Sequence, residues 1–220
     1  YFYPPAELKP GDEIQLSLSE KSIVNLNNVA NVKFKGLKFE LSRFHAFEIS
    51  GGSNIEVTEC QIENTAGDAL NFQNNASNCS VYGNEISHIG GGGVIDIKDG
   101  EVINNYIHNY AELWTTYRPA GKLLGNSIAK NNLVHDAPHS AFTVKGPNNI
   151  VEYNEIYNVV TDSEDAAAIY RFSDQTKGNI IRNNYIHNLP FIGGGHGAYA
   201  VYIDGGSYYT KVKNNIINIH

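Results

Sequence analysis

A short sequence core recurs along most of the chain, and it constrains the fold more than any other feature. Each copy ends in a stretch of the form apolar-x-polar-Asn-x-apolar. The closing apolar residues, spaced 21 to 31 residues apart, are Phe39, Ile62, Ile86, Ile107, Val134, Ile156, Ile186 and Ile217. Two positions earlier, the last six copies carry Asn84, Asn105, Asn132, Asn154, Asn184 and Asn215. A constant short core with variable spacing favours strands joined by turns, because paired helical repeats need a fixed length.

A second strand-like segment follows most of these cores and alternates with period two. Its inward positions are predicted to be Phe47, Leu70, Ile95, Phe142, Ile169 and Val201. Parallel coils stacked on each other bring equivalent side chains about 4.8 Å apart, so stacked Asn amides can hydrogen-bond along the stack. We therefore predict an all-β fold, a right-handed parallel β-helix of about eight coils with an internal Asn ladder, as a single domain over residues 1–220.

Composition excludes several other classes of protein. The chain has 28 Asn and 21 Gly, which argues against a helical bundle, because both residues disfavour the helical backbone. Its net charge is −7 and no basic cluster occurs, so we expect no nucleic-acid binding. No run of 18 apolar residues is present, so we predict no membrane span, and the first residues lack the pattern of a signal peptide.

Cysteines and histidines give no metal-binding pattern. Cys60 and Cys79 fall at different positions of neighbouring repeats and are predicted to be free, mostly buried thiols. A column of possible zinc ligands follows the buried apolar residue on successive coils, but stacking at one repeat position explains it without a metal. This column consists of His108, His135, Tyr157 and His187. We therefore predict no metal site.

Several segments resemble a known family. They are NVKFKGLKFELSR, GGGVIDI, TTYRPAGKLLGN, NNLVHDAPHSAF, IVEYNEIYNV, EDAAAIYRFSDQTKGNIIRNNYIHN and AYAVYIDGG. Together they resemble the bacterial right-handed β-helix proteins of glycoside hydrolase family 141, within the wider pectate-lyase-like superfamily. The resemblance covers nearly the whole chain and is most specific at HDAPH, AIY and YID. It implies a secreted, periplasmic or cell-surface protein that acts on polysaccharide or oligosaccharide, with residues 1–220 as the core or a part of a longer protein. We expect a monomer with no cofactor.

Candidate site residues lie on the outward positions of the second strand. One exposed column is predicted to contain Glu48, Asn71, Asp96, Thr143, Tyr170 and Tyr202, and the next contains Ser50, Gln73, Lys98, Lys145, Phe172 and Asp204. Tyr170 and Tyr202 are adjacent on neighbouring coils and suit a platform for a sugar ring. The competing interpretation is an exterior aromatic pair covered by a loop.

Asp174 and Asp204 are the carboxylates we predict to be catalytic. Strand geometry places them about 8 Å apart on neighbouring coils. This separation suits an inverting glycosidase, in which one carboxyl protonates the leaving oxygen and the other activates a water. Asp165 also matches the family, but its position at the opposite end of the strand makes it a poor partner for Asp174. Capping of turns is the competing role for each aspartate.

Three further residues are candidates for substrate contact. His139 in HDAPHSAF lies near the same face, and Arg118 in TTYRPA matches the family and could bind a substrate carboxylate or simply pair with a nearby acid. Lys145 belongs to a local basic strip that also includes Lys98 and Lys122. We count His139, Arg118 and Lys145 with the two tyrosines as the predicted substrate-binding residues.

Three functions remain open from the sequence. The first is a glycoside hydrolase that uses a carboxylate acid/base pair. The second is a polysaccharide lyase acting on a uronate-containing glycan, in which a Lys or Arg abstracts a proton and Ca²⁺ neutralises the uronate. The third is a glycan-binding or surface β-helix without catalysis, since fold does not fix function.

Overall fold

The structure is a computed structural model that describes residues 7, 9–11, 14–172, 175–190 and 197–218. These residues form a right-handed parallel β-helix, which confirms the predicted fold class. No helix in the described ranges has the length and apolar character needed to cross a membrane.

The described residues contain 24 strands. In the first half these are β1 Val24–Asn27, β2 Ala30–Lys35, β3 Lys38–Ser42, β4 Phe47–Ser50, β5 Ser53–Thr58, β6 Gln61–Thr65, β7 Leu70–Gln73, β8 Ser80–Tyr82, β9 Glu85–Ile89, β10 Val94–Ile97, β11 Glu101–Ile103 and β12 Tyr106–Tyr110. In the second half they are β13 Gly121–Leu123, β14 Ile128–Lys130, β15 Leu133–Ala137, β16 Phe142–Val144, β17 Ile150–Glu152, β18 Glu155–Val159, β19 Ala166–Arg171, β20 Asn179–Arg182, β21 Tyr185–His187, β22 Ala198–Ile203, β23 Thr210–Lys213 and β24 Ile216–Asn218.

Every third strand belongs to the same sheet, so each coil contributes one strand to each of three sheets. Sheet A has the order β1-β4-β7-β10-β13-β16-β19-β22, and sheet B the order β2-β5-β8-β11-β14-β17-β20-β23. Sheet C runs β3-β6-β9-β12-β15-β18-β21-β24. All strand pairs are parallel, with equivalent residues of neighbouring coils in register. Sequence repeats therefore become columns of identical position in space.

The apolar residues that close each repeat form one column of the core. Ile62, Ile86 and Ile107 pair in register along sheet C and are fully buried. On the facing side, Phe47 and Leu70 of sheet A are also fully buried. Burying each such side chain contributes about 1.5–3 kcal/mol, so the stacked columns supply the main driving force for folding.

The predicted Asn ladder is present at the turn between sheets B and C. Oδ1 of Asn132 accepts bonds from both the backbone amide and Nδ2 of Asn105, at 2.9 and 3.0 Å. Nδ2 of Asn132 in turn donates to Asn154 Oδ1 and to the carbonyl of Val102, each at 2.9 Å. The same bonds link the six asparagines from Asn84 to Asn215. A buried turn is thus satisfied by side chains of the adjacent coil.

The residue before each ladder position has a left-handed backbone. Asn104 and Asn131 have φ values of 56° and 53°, and Gly83 has a φ of 66°. Asn and Gly tolerate this conformation better than other residues. The Asn-Asn pairs of the sequence therefore divide two tasks, the first residue making the turn and the second joining the ladder.

A second, shorter ladder at the turn between sheets A and B was not predicted from the sequence. Here Ser127 donates its backbone amide to Asn149 Oδ1, and Asn149 Nδ2 donates to Asn179 Oδ1, at 3.2 and 3.0 Å. All three side chains are buried. These residues lie five positions before the first-ladder asparagine of the same coil, but the residue type changes between Ser and Asn, so the repeat pattern did not reveal the second ladder.

The register predicted for β10 was wrong by one residue. Leu70 pairs with Val94, not with Ile95, and the pairing of β10 with β13 is irregular between Val94 and Ile97. Asp96, with a φ of 64°, lies inside this irregularity, which is typical of a β-bulge. Ile95 therefore lies opposite Asn71 in the outward column.

The histidine column on the outside of sheet C is stacked, as predicted. His108 and His135 lie 5.2 Å apart, and His135 and Tyr157 4.5 Å apart, with nearly parallel rings in both pairs. No group of three or more His, Cys, Asp or Glu side chains in the described ranges is placed to hold a metal ion. Cys60 and Cys79 are free and buried, which confirms their prediction.

Candidate active site

A cavity of about 560 Å³ lies outside sheet A in the C-terminal half of the protein. Its inner wall consists of outward residues of β16, β19 and the segment before β16. Two loops frame it, residues 111–120 between β12 and β13, and residues 160–165 between β18 and β19. The repeats containing these loops have two of the longer spacings in the sequence, 27 and 30 residues, so the cavity lies where the coils widen.

Backbone and side-chain bonds anchor the two framing loops. Leu113 and Trp114 both donate their amides to the carbonyl of Gly90, at 3.1 and 2.9 Å. The hydroxyl of Ser163 donates to the carbonyl of Thr115 at 3.3 Å, which joins one loop to the other. The cavity wall is thus attached to the coils below it on both sides.

Asp204 lies directly after β22 and is half-buried at one end of the cavity. Its Oδ2 accepts a hydrogen bond of 2.7 Å from the hydroxyl of Tyr170. Partial burial, this bond and the negative charges of Asp204 and Asp165 together raise the pKa of Tyr170 above its ordinary value. Tyr170 therefore remains a hydrogen-bond donor to Asp204 throughout the physiological pH range.

Asp165, which directly precedes β19, lines the same cavity as Asp204. Burial, followed by the charges of Asp204 and Asp165, also raises the pKa of Tyr202. Both aspartates therefore act electrostatically on the same two tyrosines. The other predicted carboxylate, Asp174, lies outside the described residues, so its pairing with Asp204 stays a prediction.

The predicted aromatic column is present, but it does not form a flat platform. Thr143, Tyr170 and Tyr202 pair in register across β16, β19 and β22. The rings of Tyr170 and Tyr202 meet edge to face, with centroids 5.4 Å apart and planes at 69°. Tyr170 is instead nearly parallel to Phe172, which is exposed and lines the cavity, whereas Tyr202 does not line it.

His139 lies in the inner wall, 8% exposed, just before β16. Burial lowers its pKa to about 4, so the imidazole is neutral at neutral pH. The ring of Tyr117 lies 6.1 Å from it across the cavity. His139 therefore lines the cavity, and its contact with substrate stays a prediction.

The basic residues predicted near the groove differ in what they contact. Arg118 does not line the cavity; its Nε lies 3.7 Å from the buried carboxylate of Asp68, and its guanidinium stacks over Trp114 at 4.7 Å. Of the two roles predicted for Arg118, the structure therefore shows the ion pair with a nearby acid. Lys145 does line the cavity and makes no ion pair within the described part of the chain.

Lys122 does not belong to the column of Lys145. Lys122 pairs in register with Thr143, and its Nζ lies 2.6 Å from Oδ1 of Asp96. The local basic strip inferred from the sequence is thus divided between two columns, and one of its members is neutralised.

Sequence reasoning missed the acidic loop of the cavity. Asp162, Ser163 and Glu164 line it together with Asp165. Three acids within the four residues 162–165, in one of the longest repeats, are the signal that could have identified this loop. Its exposed carboxylates give the cavity an excess of negative charge.

The fold and the cavity define a parallel β-helix with a concave site on one sheet. The chain matches the family described as right-handed β-helix region over residues 13–117 and 74–220, and it belongs to that family. No curated protein matches the sequence.

Two solved structures are similar to the chain. One, described as a glycoside hydrolase, has a TM-score of 0.45 and 13% identity, and the similarity covers 76% of this chain and 38% of that one. The other is the catalytic domain of a GH87 alpha-1,3-glucanase in complex with tetrasaccharides, with a TM-score of 0.41 and 11% identity, covering 87% of this chain and 56% of that one. The chain thus spans 38% and 56% of the lengths of these structures.

Proposed function

We propose that the protein is a carbohydrate-active β-helix protein that hydrolyses glycosidic bonds in a polysaccharide, by a carboxylate acid/base pair. The observation that carries this proposal is the presence of Asp204 and Asp165 in one cavity, on a wall that also carries Tyr170. Hydrolysis of a glycosidic bond requires two carboxyl groups that flank it, one as acid and one as base or nucleophile. The sequence resemblance to glycoside hydrolase family 141 supports the same reaction class.

The surroundings of Asp204 suit the carboxylate that acts as base or nucleophile. The hydroxyl of Tyr170 donates to it, and a donor stabilises the negative charge. Asp165, exposed in the framing loop, or Asp174 would then protonate the leaving oxygen. Phe172 and Tyr117 offer exposed rings along the cavity, against which a sugar ring can pack.

Site-directed variants with a product assay test this proposal. We expect wild-type protein to release reducing ends from at least one polysaccharide of a broad panel without absorbance at 235 nm. Asp204→Asn should lower the rate by about 100-fold or more, since a positioned acid or base contributes at least that factor. Comparison of Asp165→Asn with Asp174→Asn identifies the second carboxylate, and Glu56→Gln, which changes an exposed side chain of β5, serves as control. Undiminished hydrolysis by Asp204→Asn would contradict the assignment.

A polysaccharide lyase is the second candidate, and Lys145 is the observation that favours it. Lys145 makes no ion pair with another described residue, and its amine could abstract a proton beside a uronate, with Ca²⁺ bound between the substrate and the acidic loop. Unsaturated products absorbing at 235 nm, abolished in Lys145→Gln, would support the lyase over the hydrolase. Saturable glycan binding without any product would instead support a non-catalytic surface protein.

The remaining expectations from the sequence stay part of the proposal. We infer a secreted, periplasmic or cell-surface location and a monomeric state, and a hydrolase of this kind needs no cofactor. Analytical ultracentrifugation of the protein would test the oligomeric state directly.

A further inference from the structure

The inner wall of the cavity contains three buried polar atoms that have no hydrogen-bond partner in the described part of the chain. They are Nδ1 of His139, Oγ of Ser140 and Oγ1 of Thr143. All three residues line the cavity, and His139 and Ser140 are 8% and 0% exposed. A buried polar atom without a partner costs about 1–3 kcal/mol, so three of them on one wall call for an explanation.

The backbone carbonyls of the same segment are hydrogen-bonded, which separates this wall from a loosely packed region. The carbonyl of Ser140 accepts bonds from the hydroxyl of Tyr110 and the amide of Ala120, at 3.0 and 3.2 Å. The carbonyl of His139 accepts from the amide of Val160 at 3.2 Å. Before β4 of the same sheet, His45 does find a partner, because its Nδ1 accepts the amide of Asp68 at 2.8 Å. The three side-chain atoms, in contrast, have no partner among the described residues.

The chemistry of the three groups matches a ligand that both donates and accepts hydrogen bonds. Neutral imidazole has one donor and one acceptor nitrogen, and each hydroxyl can do both. Sugar hydroxyls have the same dual character. None of the three groups is a cation at neutral pH, so they match uncharged hydroxyls better than a carboxylate.

The charges around the wall disfavour an anionic ligand. Among the described residues, four carboxylates line the cavity, against the ammonium groups of Lys122 and Lys145, and Lys122 is already bound to Asp96. Like charges disfavour the approach of a uronate. Opposite the wall, the ring of Tyr117 is 85% exposed and provides an apolar face.

We propose that His139, Ser140 and Thr143 form a hydroxyl-binding subsite for an uncharged sugar ring, which packs against Tyr117. The inference rests on the proposed function and narrows its substrate class to neutral glycans. A bound sugar would hydrogen-bond to the three side-chain atoms that have no partner in the free protein. Part of the binding free energy would therefore come from removing the energetic cost of these unpaired buried atoms.

The test measures glycan binding and thermal stability on the same variants. In the Asp204→Asn background, which preserves the substrate, calorimetry would use hexasaccharides of glucose, mannose and xylose, and of galacturonic acid. We expect at least one neutral hexasaccharide to bind and the uronate to bind at least tenfold more weakly. Ser140→Ala and Thr143→Val should each weaken binding about fivefold while leaving Tm unchanged or higher, because each removes an unsatisfied buried atom. The exposed variant Thr116→Ala, elsewhere on the rim, controls for general changes in the cavity.

The outcomes separate this inference from the proposed function. Hydrolysis of neutral glycans with unchanged binding by Ser140→Ala and Thr143→Val would overturn the subsite and leave the hydrolase intact. Binding that depends on these residues, without turnover, would overturn the hydrolase and leave the subsite intact. The subsite would also be overturned if the galacturonic acid hexasaccharide bound more tightly than the neutral ones, or if no neutral hexasaccharide bound.

Discussion

Tyr170 holds Asp204 through a hydrogen bond of 2.7 Å between its hydroxyl and Oδ2, across neighbouring strands of sheet A. This bond fixes the carboxylate toward the cavity and keeps a donor on it. Tyr170→Phe removes the donor while preserving the ring that stacks on Phe172. We expect the hydrolytic rate to fall about tenfold with little change in Tm.

Tyr185→Phe is the matched control for that variant. Tyr185 also has an exposed ring that stacks on a neighbouring side chain, His187, but it lies in sheet C and does not line the cavity. Steady-state kinetics would measure the hydrolytic rate of both variants on the same polysaccharide. Equal losses of rate in the two variants would contradict a specific role for Tyr170.

The Asn ladder should contribute strongly to stability in its middle and weakly at its end. Asn132→Ala leaves the Asn105 amide, its Nδ2 and the Val102 carbonyl without their partner in a buried turn. We expect a loss of about 3 kcal/mol or more in the free energy of unfolding. Asn215→Ala, at the last described rung and half-buried, should cost about 1 kcal/mol.

Denaturant unfolding monitored by circular dichroism measures both changes. Asn132→Asp provides a further comparison, because it keeps an acceptor oxygen but loses the two donated bonds. Equal effects of the middle and terminal Ala variants would show that the ladder does not act as a buried hydrogen-bond chain.

The sequence predicted the coils well, because their positions recur. Each of the last six repeats carries a ladder asparagine two positions before an apolar residue. The asparagines, such as Asn105 and Asn132, form the ladder, and the apolar residues, such as Ile86 and Ile107, form the core column. A buried column requires the same residue type on each coil, so the physical constraint is visible in the sequence. The register failed only at β10, where the bulge at Asp96 shifts the alternation by one residue.

The candidate site was harder to predict, because it is formed by loops that occur once. Strand positions alone predict Asp165 to be a poor partner for Asp174, but they do not show that the framing loop brings Asp165 to the cavity of Asp204. Arg118 matched a family segment, but its charge is directed to Asp68 under the loop. Such contacts depend on the path of an individual loop, and a repeat pattern contains no information about that path.

His139 should make folding stability depend on pH below neutrality. Its pKa is lowered from an ordinary value of 6.5 to about 4 by burial. The unfolded chain therefore takes up a proton between about pH 6.5 and 4 that the folded protein excludes, so stability is highest above this window and falls as pH decreases through it. The full effect is about 3 kcal/mol, since one pKa unit corresponds to about 1.4 kcal/mol.

Unfolding free energies of wild type and His139→Gln at several pH values between 4 and 8 test this expectation. The unfolding free energy of the wild type should depend on pH more steeply than that of the variant in that window. The difference between the two slopes should correspond to the uptake of about one proton on unfolding. Ser140→Ala alters the same wall without removing a titratable group and should keep the slope of the wild type. A His139→Gln variant with an unchanged slope would contradict the neutral, buried state of this histidine.

Glu59 is a position where a substitution should stabilise the protein. It lies just before the first ladder bond, with a φ of 52°. Equivalent positions on later coils are mostly Asn or Gly with the same left-handed backbone, at Gly83, Asn104, Asn131, Asn183 and Asn214. Because this conformation is strained for Glu, Glu59→Asn should gain about 0.5–1 kcal/mol and raise Tm by about 1–4 °C.

The comparison variant for this last prediction is Glu56→Asn. Each substitution removes an exposed ion pair, Glu59 with Lys35 and Glu56 with Lys33. Such pairs contribute at most about 1 kcal/mol to the free energy of unfolding. Glu56, however, lies in the extended backbone of β5, where Asn offers no relief of strain. Differential scanning calorimetry should therefore show a higher Tm for Glu59→Asn and an unchanged or lower Tm for Glu56→Asn. A fall in Tm for Glu59→Asn would show that its ion pair outweighs the backbone strain.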